Sequence, residues 1–452
     1  MRAEAEPVDA AVAQFLNSFF KPARLLVAVS GGGDSVGLLI ALDEALRSGR
    51  YPGFSLCACT IDHGLRPGSD AEARWMAALC AGRGIAHATL IWRGPKPQGG
   101  VQAAAREARH ALLLQAARDA GADAILTAHN RDDQRETVAM RGARSDTGAG
   151  LAGIAPATLL HNTVWLLRPL LGVPREAIRN ALRHRGQDWL EDPSNANRTF
   201  ERVRVRLDAT AGPEAARTAS DAEEAGRTEA ARARHLAAKE GGEFLGGSVR
   251  VLDAALAVLP VPAIATVQSS GAAFQALLAL CAVLGGREHR LERAAAGRLA
   301  AFLESGALSR FTAGRVVFDR RREGLFLYRE QRGIGSLRIG PGEVAVWDGR
   351  FRVRNLGKAP LLVQSCGAAD DGSLFLPPDV PAGVARRAGR ARPVVLAGEA
   401  RAEDASHAIE PVLAPYDRYL PVFGLPLADA IAGLLGLPRR PKLPLATEKE
   451  PA

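Results

Sequence analysis

The first part of the chain alternates short apolar runs with amphipathic segments, and this alternation restricts the fold more than any other feature. Strand-like runs occupy residues 25 to 29, 56 to 61, 87 to 91 and 124 to 128. A segment with helical character separates each run from the next, for example SDAEARWMAALCAGRG. Such alternation is typical of βαβ units, so the sequence predicts an α/β fold with a Rossmann-like, doubly wound parallel sheet.

Three loops directly follow these strands and are the first candidates for a functional site. They read SGGGDS, IDHGLR and AHNRDDQRET. Parallel α/β sheets place their ligands at the carboxyl ends of the strands. We therefore expect the three loops to contribute to one site.

The loop SGGGDS joins a strand to a helix and predicts a phosphate site. Glycines leave backbone N–H groups uncovered at the positive end of the helix, and that combination attracts phosphate. A simple tight turn is the alternative. The loop has no lysine followed by a hydroxyl residue directly after its last glycine, as a Walker A motif requires, and it does not match G-x-G-x-x-G. Asp34 and Ser35 come directly after Gly33 instead.

Acidic and basic side chains lie at fixed spacings in the later segments. Asp132, Asp133 and Glu136 open a predicted helix, with Asp132 and Glu136 on one face. Carboxylates there can hold Mg²⁺ or the ammonium of an amine substrate, although caps and dipole partners are the alternative. Arg106 and Arg109 lie one helical turn apart and predict a cationic clamp for phosphates, or else an exposed Ala-rich helix.

The loop after the second strand supplies Asp62, His63 and Arg66. A single histidine in such a place is more often structural than catalytic, so the loop adds little on its own.

Three domains are predicted: residues 1–210, 211–330 and 331–452. An Ala-rich, charged stretch after residue 207 predicts a helical connector domain, and alternating segments around a D-G turn predict a small β-rich C-terminal domain. The uncharged residues 254–286 contain prolines and a Ser-Ser-Gly break, which favours a buried helix over a membrane span.

The net charge of +9 rests mainly on arginine, because only six of the 58 basic residues are lysines. Arginine suits bidentate phosphate contacts and favours a nucleic-acid partner, while a GC-rich genome is the alternative explanation. The five cysteines form no C-x-x-C pair and no zinc spacing, and the acidic N-terminus has no signal-peptide core. These features predict reduced thiols in a cytoplasmic protein.

Taken together and in order, the motifs resemble a known family. SGGGDS resembles the pyrophosphate loop of the N-type ATP pyrophosphatases, the PP-loop superfamily. DHGLR, AAAREAR, HNRDDQRET and EDPSNANRTF narrow the resemblance to the tRNA(Ile)-lysidine synthases. The similarity is dense over residues 24–206 and thin afterwards, where WDGRFRV resembles the family's C-terminal domain.

The resemblance implies a reaction and a set of residues. ATP would transfer AMP to the C2 oxygen of the wobble cytidine of tRNA(Ile) with a CAU anticodon, and free L-lysine would then displace AMP. Asp34, Arg106, Arg109, Asp132 and Asp133 would be catalytic. The ATP-binding set would be Ser30, Gly31, Gly32, Gly33, Asp34 and Ser35, and lysine or Mg²⁺ would be held by members of His129, Asp132, Asp133 and Glu136. The basic C-terminal region would hold the tRNA.

The sequence departs from the family pattern at four places, and three alternatives are open. Asn130 stands where the family usually has a second histidine, His110 where it usually has tyrosine, and Val203 where RN usually precedes the last basic pair. The segment RGARSDTGAGLAGI is also looser than the family's usual Arg-Gly-x-Gly run. The alternatives are a tRNA thiolase of the same superfamily, an amidotransferase synthetase, and an inactive RNA-binding relative. The oligomeric state is left open, a homodimer included.

Overall fold

The computed structural model describes residues 6–64, 68–94, 96–97, 99–142, 151–191, 215–367 and 379–446. Several features of the sequence lie outside these residues. They are Arg66, Val203, most of EDPSNANRTF, residues 143–150 and the predicted domain boundary after residue 210.

The described chain forms two compact units, Met1–Arg232 with Pro441–Ala452, and Ala233–Arg440. The prediction of three domains stays a prediction. A long helix, Ala215–Ser248, contains the point of division and occupies the stretch for which a helical connector is predicted.

A mixed, largely parallel sheet with flanking helices forms the first unit. Its helices are α1 (Pro7–Asn17), α2 (Gly33–Arg47), α3 (Ser69–Gly82), α4 (Val101–Asp119), α5 (Arg131–Gly142) and α6 (Arg175–His184), and the helix Ala215–Ser248 is α7. Its strands are β1 (Arg24–Ala28), β2 (Ser55–Asp62), β3 (Ala86–Ile91), β4 (Ala124–Leu126), β5 (Ala157–Leu160) and β6 (Val164–Leu167).

The strands of this unit lie in the order β5-β6-β4-β1-β2-β3. All pairs are parallel except β5 with β6. Apolar side chains from β1, such as Leu25 and Val27, are fully buried between the helical layers, as a doubly wound sheet requires. The predicted α/β fold is therefore confirmed. The β5–β6 hairpin is an addition that the sequence patterns do not predict.

The second unit combines helices with antiparallel sheets. Its strands are β7 (Arg250–Leu252), β8 (Leu256–Pro260), β9 (Arg310–Ala313), β10 (Val316–Arg320), β11 (Gly324–Arg329), β12 (Leu337–Ile339), β13 (Val344–Trp347), β14 (Phe351–Asn355), β15 (Leu361–Ser365), β16 (Pro393–Ala397), β17 (Ala400–Arg401), β18 (His407–Pro411) and β19 (Tyr419–Pro421). Its helices are α8 (Val261–Ser269), α9 (Gly271–Leu284), α10 (Arg293–Glu304), α11 (Ala382–Gly389) and α12 (Leu425–Leu434).

Sheets of this unit have the orders β7-β8-β11-β10-β9, β12-β15-β16-β17 and β13-β14-β18. The uncharged stretch 254–286 contains β8, α8 and α9, and α8 meets α9 at an angle of 114°. Among the described residues, no single helix is both long enough and apolar enough to cross a membrane.

Candidate active site

The candidate site lies where the order of the parallel strands reverses. Strand β1 pairs with β2 on one side and with β4 on the other, and the chain leaves both β1 and β4 at the same edge of the sheet. Ligand crevices form at such switch points because the two outgoing loops separate there. A cavity of about 400 Å³ opens at this edge, between the loop after β1 and the loop after β4.

The glycine loop after β1 is held from behind by a distant segment. Gly31 has φ +85°, and its carbonyl accepts a hydrogen bond of 2.9 Å from the backbone N–H of Leu190. A Cβ on Gly31 would lie 2.7 Å from Leu190 Cδ1, and one on Gly33 would lie 3.3 Å from Trp189 Cδ1. The glycines thus let the backbone fit closely against residues 189 and 190.

Two serines fix the turn of the loop. The Ser35 hydroxyl accepts from the Ser30 backbone N–H at 3.1 Å and donates to the Gly32 carbonyl at 2.9 Å. Helix α2 begins at Gly33, so its first-turn N–H groups lack intrahelical partners and its positive end lies at the cavity. Of the predicted nucleotide-binding residues, Ser30, Gly32, Gly33, Asp34 and Ser35 line the cavity, whereas Gly31 is absent from the lining and packs against Leu190.

Helix α5 begins with a reciprocal cap built on Asn130. The Asn130 Oδ1 accepts from the backbone N–H groups of Asp132 and Asp133 at 3.0 and 3.1 Å, while Asp133 Oδ2 accepts from the Asn130 N–H at 2.9 Å. This is the arrangement of a capping box. The Asn130 amide also donates to Asp34 Oδ2 at 2.9 Å and so links the two loops.

Arg175, the first residue of α6, connects the acidic residues of the site. Its guanidinium contacts Asp34 Oδ2 at 3.2 Å, Asp133 Oδ1 at 2.9 Å and Glu136 Oε1 at 3.5 Å. Its backbone N–H donates to Asp132 Oδ2 at 2.8 Å. Asp34, Asp133 and Glu136 therefore line the cavity together, whereas Asp132 fixes the backbone at the start of α6.

One carboxylate oxygen of this group accepts no hydrogen bond from the residues that the structure describes. Asp34 Oδ1 is buried and, among the described residues, accepts no hydrogen bond. Burial raises the pKa of the Asp34 carboxyl above its ordinary value, while the Arg175 guanidinium opposes the rise. An unsatisfied buried acceptor is costly, so this atom fits the role of a ligand-facing group.

Helix α4 contributes one cationic side chain to the cavity lining. Arg109 lines the cavity, and among the described residues its guanidinium forms no ion pair. The Arg109 side chain is exposed to solvent at the cavity, and desolvation by the surrounding protein, followed by the charge of the nearby Arg106, lowers its pKa. Arg106 is absent from the cavity lining and has an exposed side chain. Its charge contributes to the lowered pKa values of Arg141 and Arg168, in which burial is the larger cause.

The other histidines and the aspartate singled out in the sequence have defined positions at or near the cavity. His129 lines the cavity, and its Nδ1 lies 3.0 Å from Thr127 Oγ1. Asp62 and His63 extend from the end of β2 into the lining. Burial, followed by the charges of neighbouring cations, lowers the pKa of His110 to about 3, so this histidine is neutral at neutral pH.

The sequence motifs assign no role to Arg175, Arg179, Leu190 or Glu191, all of which line the cavity. The local signal at Arg175 is only a basic residue directly after a proline, at the start of a helix. Such a signal does not specify a partner 141 residues away.

Comparisons with known proteins identify relatives of this chain. A family model described as a PP-loop domain matches residues 5–211. The tRNA(Ile)-lysidine synthase of Rhizobium meliloti (strain 1021) is 43% identical over 449 residues, which cover 95% of this chain and 96% of that protein. The enzyme of the same name from Mesorhizobium japonicum is 41% identical, with 93% and 94% covered. That of Brucella melitensis biotype 1 is 40% identical, with 75% and 77% covered.

Proposed function

The chain belongs to the tRNA(Ile)-lysidine synthase family, and from this premise we propose that it attaches free L-lysine to C2 of the wobble cytidine in tRNA(Ile) with a CAU anticodon. In the first step, the C2 oxygen attacks the α-phosphorus of ATP and pyrophosphate leaves. In the second step, the neutral ε-amine of lysine attacks C2, the C–O bond breaks and AMP leaves. The cavity at the switch point carries this proposal, because a phosphate-binding loop lies there beside acidic and basic side chains.

The loop Ser30–Gly33 and the start of α2 would hold the pyrophosphate half of ATP. Free N–H groups at a helix N-terminus and the positive end of its dipole suit that charge. Arg109 would add a cation to the cavity lining and would stabilise the charge that develops on the phosphates during AMP transfer. Arg106, which is absent from the cavity lining, would act on the phosphates only through its field at Arg109.

The acidic side of the cavity fits Mg²⁺ that arrives with the nucleotide. Among the described residues, no trio of His, Cys, Asp and Glu side chains forms a metal centre, so a dedicated protein cage is absent there. Mg²⁺ commonly binds through one or two carboxylates together with substrate phosphates, and the unpartnered Asp34 Oδ1 provides such an oxygen. Mg²⁺ held there would neutralise charge on the phosphate oxygens. Asp133, Glu136 and His129 would orient the lysine substrate.

The second unit, which is basic and rich in β-sheet, would hold the body of the tRNA. The enzyme would work in the cytoplasm. A wobble base has to leave its stack to reach the cavity, which requires that the rest of the RNA be held firmly. A homodimer stays a prediction, which sedimentation of the full chain would test.

A thiolase reaction is disfavoured by the cysteine in the cavity wall. Cys59 is fully buried, and burial raises the pKa of its thiol to about 12. A thiol with such a pKa is a poor nucleophile at neutral pH because almost no thiolate is present. Among the described residues, Cys59 is also the only cysteine in the cavity lining.

The direct test is incubation of the full chain with ATP, Mg²⁺, labelled L-lysine and CAU-anticodon tRNA(Ile). We expect label in the tRNA together with one AMP for each lysine incorporated. Methionine tRNA, which has the same anticodon, is the matched control and should stay unlabelled. Folded protein that binds ATP but transfers no label would contradict the proposal.

The Asp34→Ala variant tests the role of the loop within this reaction. We expect it to abolish AMP release and to leave tRNA affinity unchanged. Normal AMP release by this variant would remove Asp34 from the proposed mechanism.

A further inference from the structure

We propose that Arg175 is a positioning residue for the adenylation step. Its guanidinium holds Asp34 together with Asp133 and Glu136, and thereby directs Asp34 Oδ1 toward the nucleotide. The inference rests on the proposed function, because it concerns the first half of that reaction. It adds a residue to which no sequence motif assigns a role.

The Arg175 guanidinium contacts three carboxylates through three different nitrogens. Nε lies 3.2 Å from Asp34 Oδ2, Nη2 lies 2.9 Å from Asp133 Oδ1, and Nη1 lies 3.5 Å from Glu136 Oε1. A planar guanidinium has its donors in a fixed fork, so its three nitrogens can define the relative positions of three carboxylates. A lysine ammonium at the same place is a point charge and lacks this geometry.

The backbone of Arg175 is also fixed. Pro174 precedes it as the N-cap of α6, and its N–H donates to Asp132 Oδ2 at 2.8 Å. The N–H of Arg131, where α5 begins, donates to the Val173 carbonyl at 2.9 Å. The starts of α5 and α6 are thus joined, and the Arg175 side chain extends from a defined point into the acidic group.

Loss of this guanidinium would leave the acidic side chains of the cavity without their shared cation. The Asp34, Asp133 and Glu136 carboxylates would face one another without the cation between them, and like charges at short range repel strongly in a partly buried site. Asp34 Oδ2 would keep the Asn130 amide as its described partner. We therefore expect Asp34 to move while the loop and the nucleotide pocket persist.

The same helix provides a matched control. Arg185, the C-cap residue of α6, donates to both carboxylate oxygens of Asp9 at 2.8 Å and to Glu44 at 2.9 Å, and it lies 3.6 Å from Glu6. Its side chain is 17% exposed, against 13% for Arg175. Arg185 also bridges three acids but lies outside the cavity lining.

The experiment compares Arg175→Ala, Arg175→Lys and Arg185→Ala in the full chain with ATP, Mg²⁺, lysine and tRNA(Ile). We expect both Arg175 variants to lower kcat for AMP formation by about 100-fold, the effect of a misplacement near 1 Å, with tRNA affinity unchanged. Added guanidinium ion should restore part of the rate of Arg175→Ala. Arg185→Ala should lower the unfolding temperature and keep the wild-type kcat.

A double-mutant cycle with Asp34→Asn separates positioning from general stability. If Arg175 acts through Asp34, the double variant should be no slower than Asp34→Asn alone. Additive losses, equal kcat losses in Arg175→Ala and Arg185→Ala, or a parallel loss of tRNA affinity would overturn the inference. A wild-type chain that forms no lysidine would overturn the proposed function and this inference together, whereas active Arg175 variants would overturn the inference alone.

Discussion

Gly31 has a backbone conformation and a neighbour that both exclude a side chain. Its φ of +85° is disfavoured for L-residues, and an added Cβ would meet Leu190 Cδ1 at 2.7 Å. Gly49 offers a comparison, because it has φ +74° but open space around it. Substitutions at these two positions therefore distinguish the cost of backbone strain from the cost of a close contact.

We expect Gly49→Ala to lower the free energy of unfolding by about 1 kcal/mol through strain alone. Gly31→Ala should lower the free energy of unfolding by more than Gly49→Ala does. It should also raise the KM for ATP, because the loop has to shift away from residue 190. Urea unfolding and ATP titration measure the two effects. An unchanged KM in Gly31→Ala would show that the loop tolerates this shift.

His110 makes stability depend on pH. Burial, with Arg106, Arg109, Arg168 and His161 nearby, lowers its pKa from 6.5 to about 3. Between these values the unfolded chain binds a proton that the folded chain does not, so stability increases with pH in this window and is lost as pH falls through it. A single group contributes at most about 1.4 kcal/mol per pH unit.

The substitution His110→Tyr tests this dependence, since tyrosine stays neutral throughout the window. We expect the variant to lose less stability than the wild type as the pH falls from 6.5 toward 3. Denaturant unfolding at several pH values measures the difference. Parallel stability curves for the two proteins would show that His110 does not titrate as described.

At the scale of elements, the residue that caps helix α5 also contacts the acidic group of the cavity. Asn130 is fully buried, caps the first turn and donates to Asp34 through the same amide group. A helix cap is commonly worth about 1 kcal/mol. The position that departs from the family pattern therefore has a defined structural role here.

Two substitutions at this position should act differently. Asn130→Ala should lower the free energy of unfolding by about 1 kcal/mol through the lost cap. Asn130→Asp keeps a capping oxygen but adds a carboxylate next to Asp34, which should raise the Asp34 pKa further and move the acidic limb of the pH-rate profile to higher pH. Thermal unfolding and pH-rate profiles distinguish them. A wild-type pH profile for Asn130→Asp would contradict this explanation.

Elements with a local signal were predictable. The predicted strand at 56 to 61 corresponds to β2, Ser55–Asp62, and the D-G turn forms a hairpin in which Asp348 and Gly349 have φ of 52° and 70°. The β5–β6 hairpin was missed because both strands are largely buried and lack alternation. Its turn places His161 and Asn162 in the left-handed region without the usual glycine.

At the scale of the whole molecule, the motifs predicted the components of the site better than their arrangement. Asp34 and Asp133 come after recognisable strands, so their approach to one cavity results from the topology of a parallel sheet. The contact between Asp34 and Arg175 spans 141 residues and depends on where α6 packs. No periodicity in the sequence encodes that contact.

Exposed arginines on the sheets of the second unit are candidates for contacts with tRNA phosphates. Arg338 on β12 and Arg354 on β14 are exposed, and neither forms an ion pair among the described residues. If the second unit contacts tRNA phosphates, Arg338→Ala and Arg354→Ala should each weaken binding and reduce the slope of log affinity against log salt by ~0.7 to ~0.9. Filter binding of tRNA(Ile) across a salt series measures this slope.

Arg74 in the first unit is the matched control, because its guanidinium is exposed but already pairs with Asp70 at 2.7 Å. Arg74→Ala removes the same formal charge from the chain, so a purely global effect of net charge would change all three slopes equally. We expect the control to keep the wild-type slope, because Arg74 belongs to the first unit and is not among the proposed phosphate contacts on β12 and β14. Equal changes in all three variants would place the tRNA contacts elsewhere than on β12 and β14.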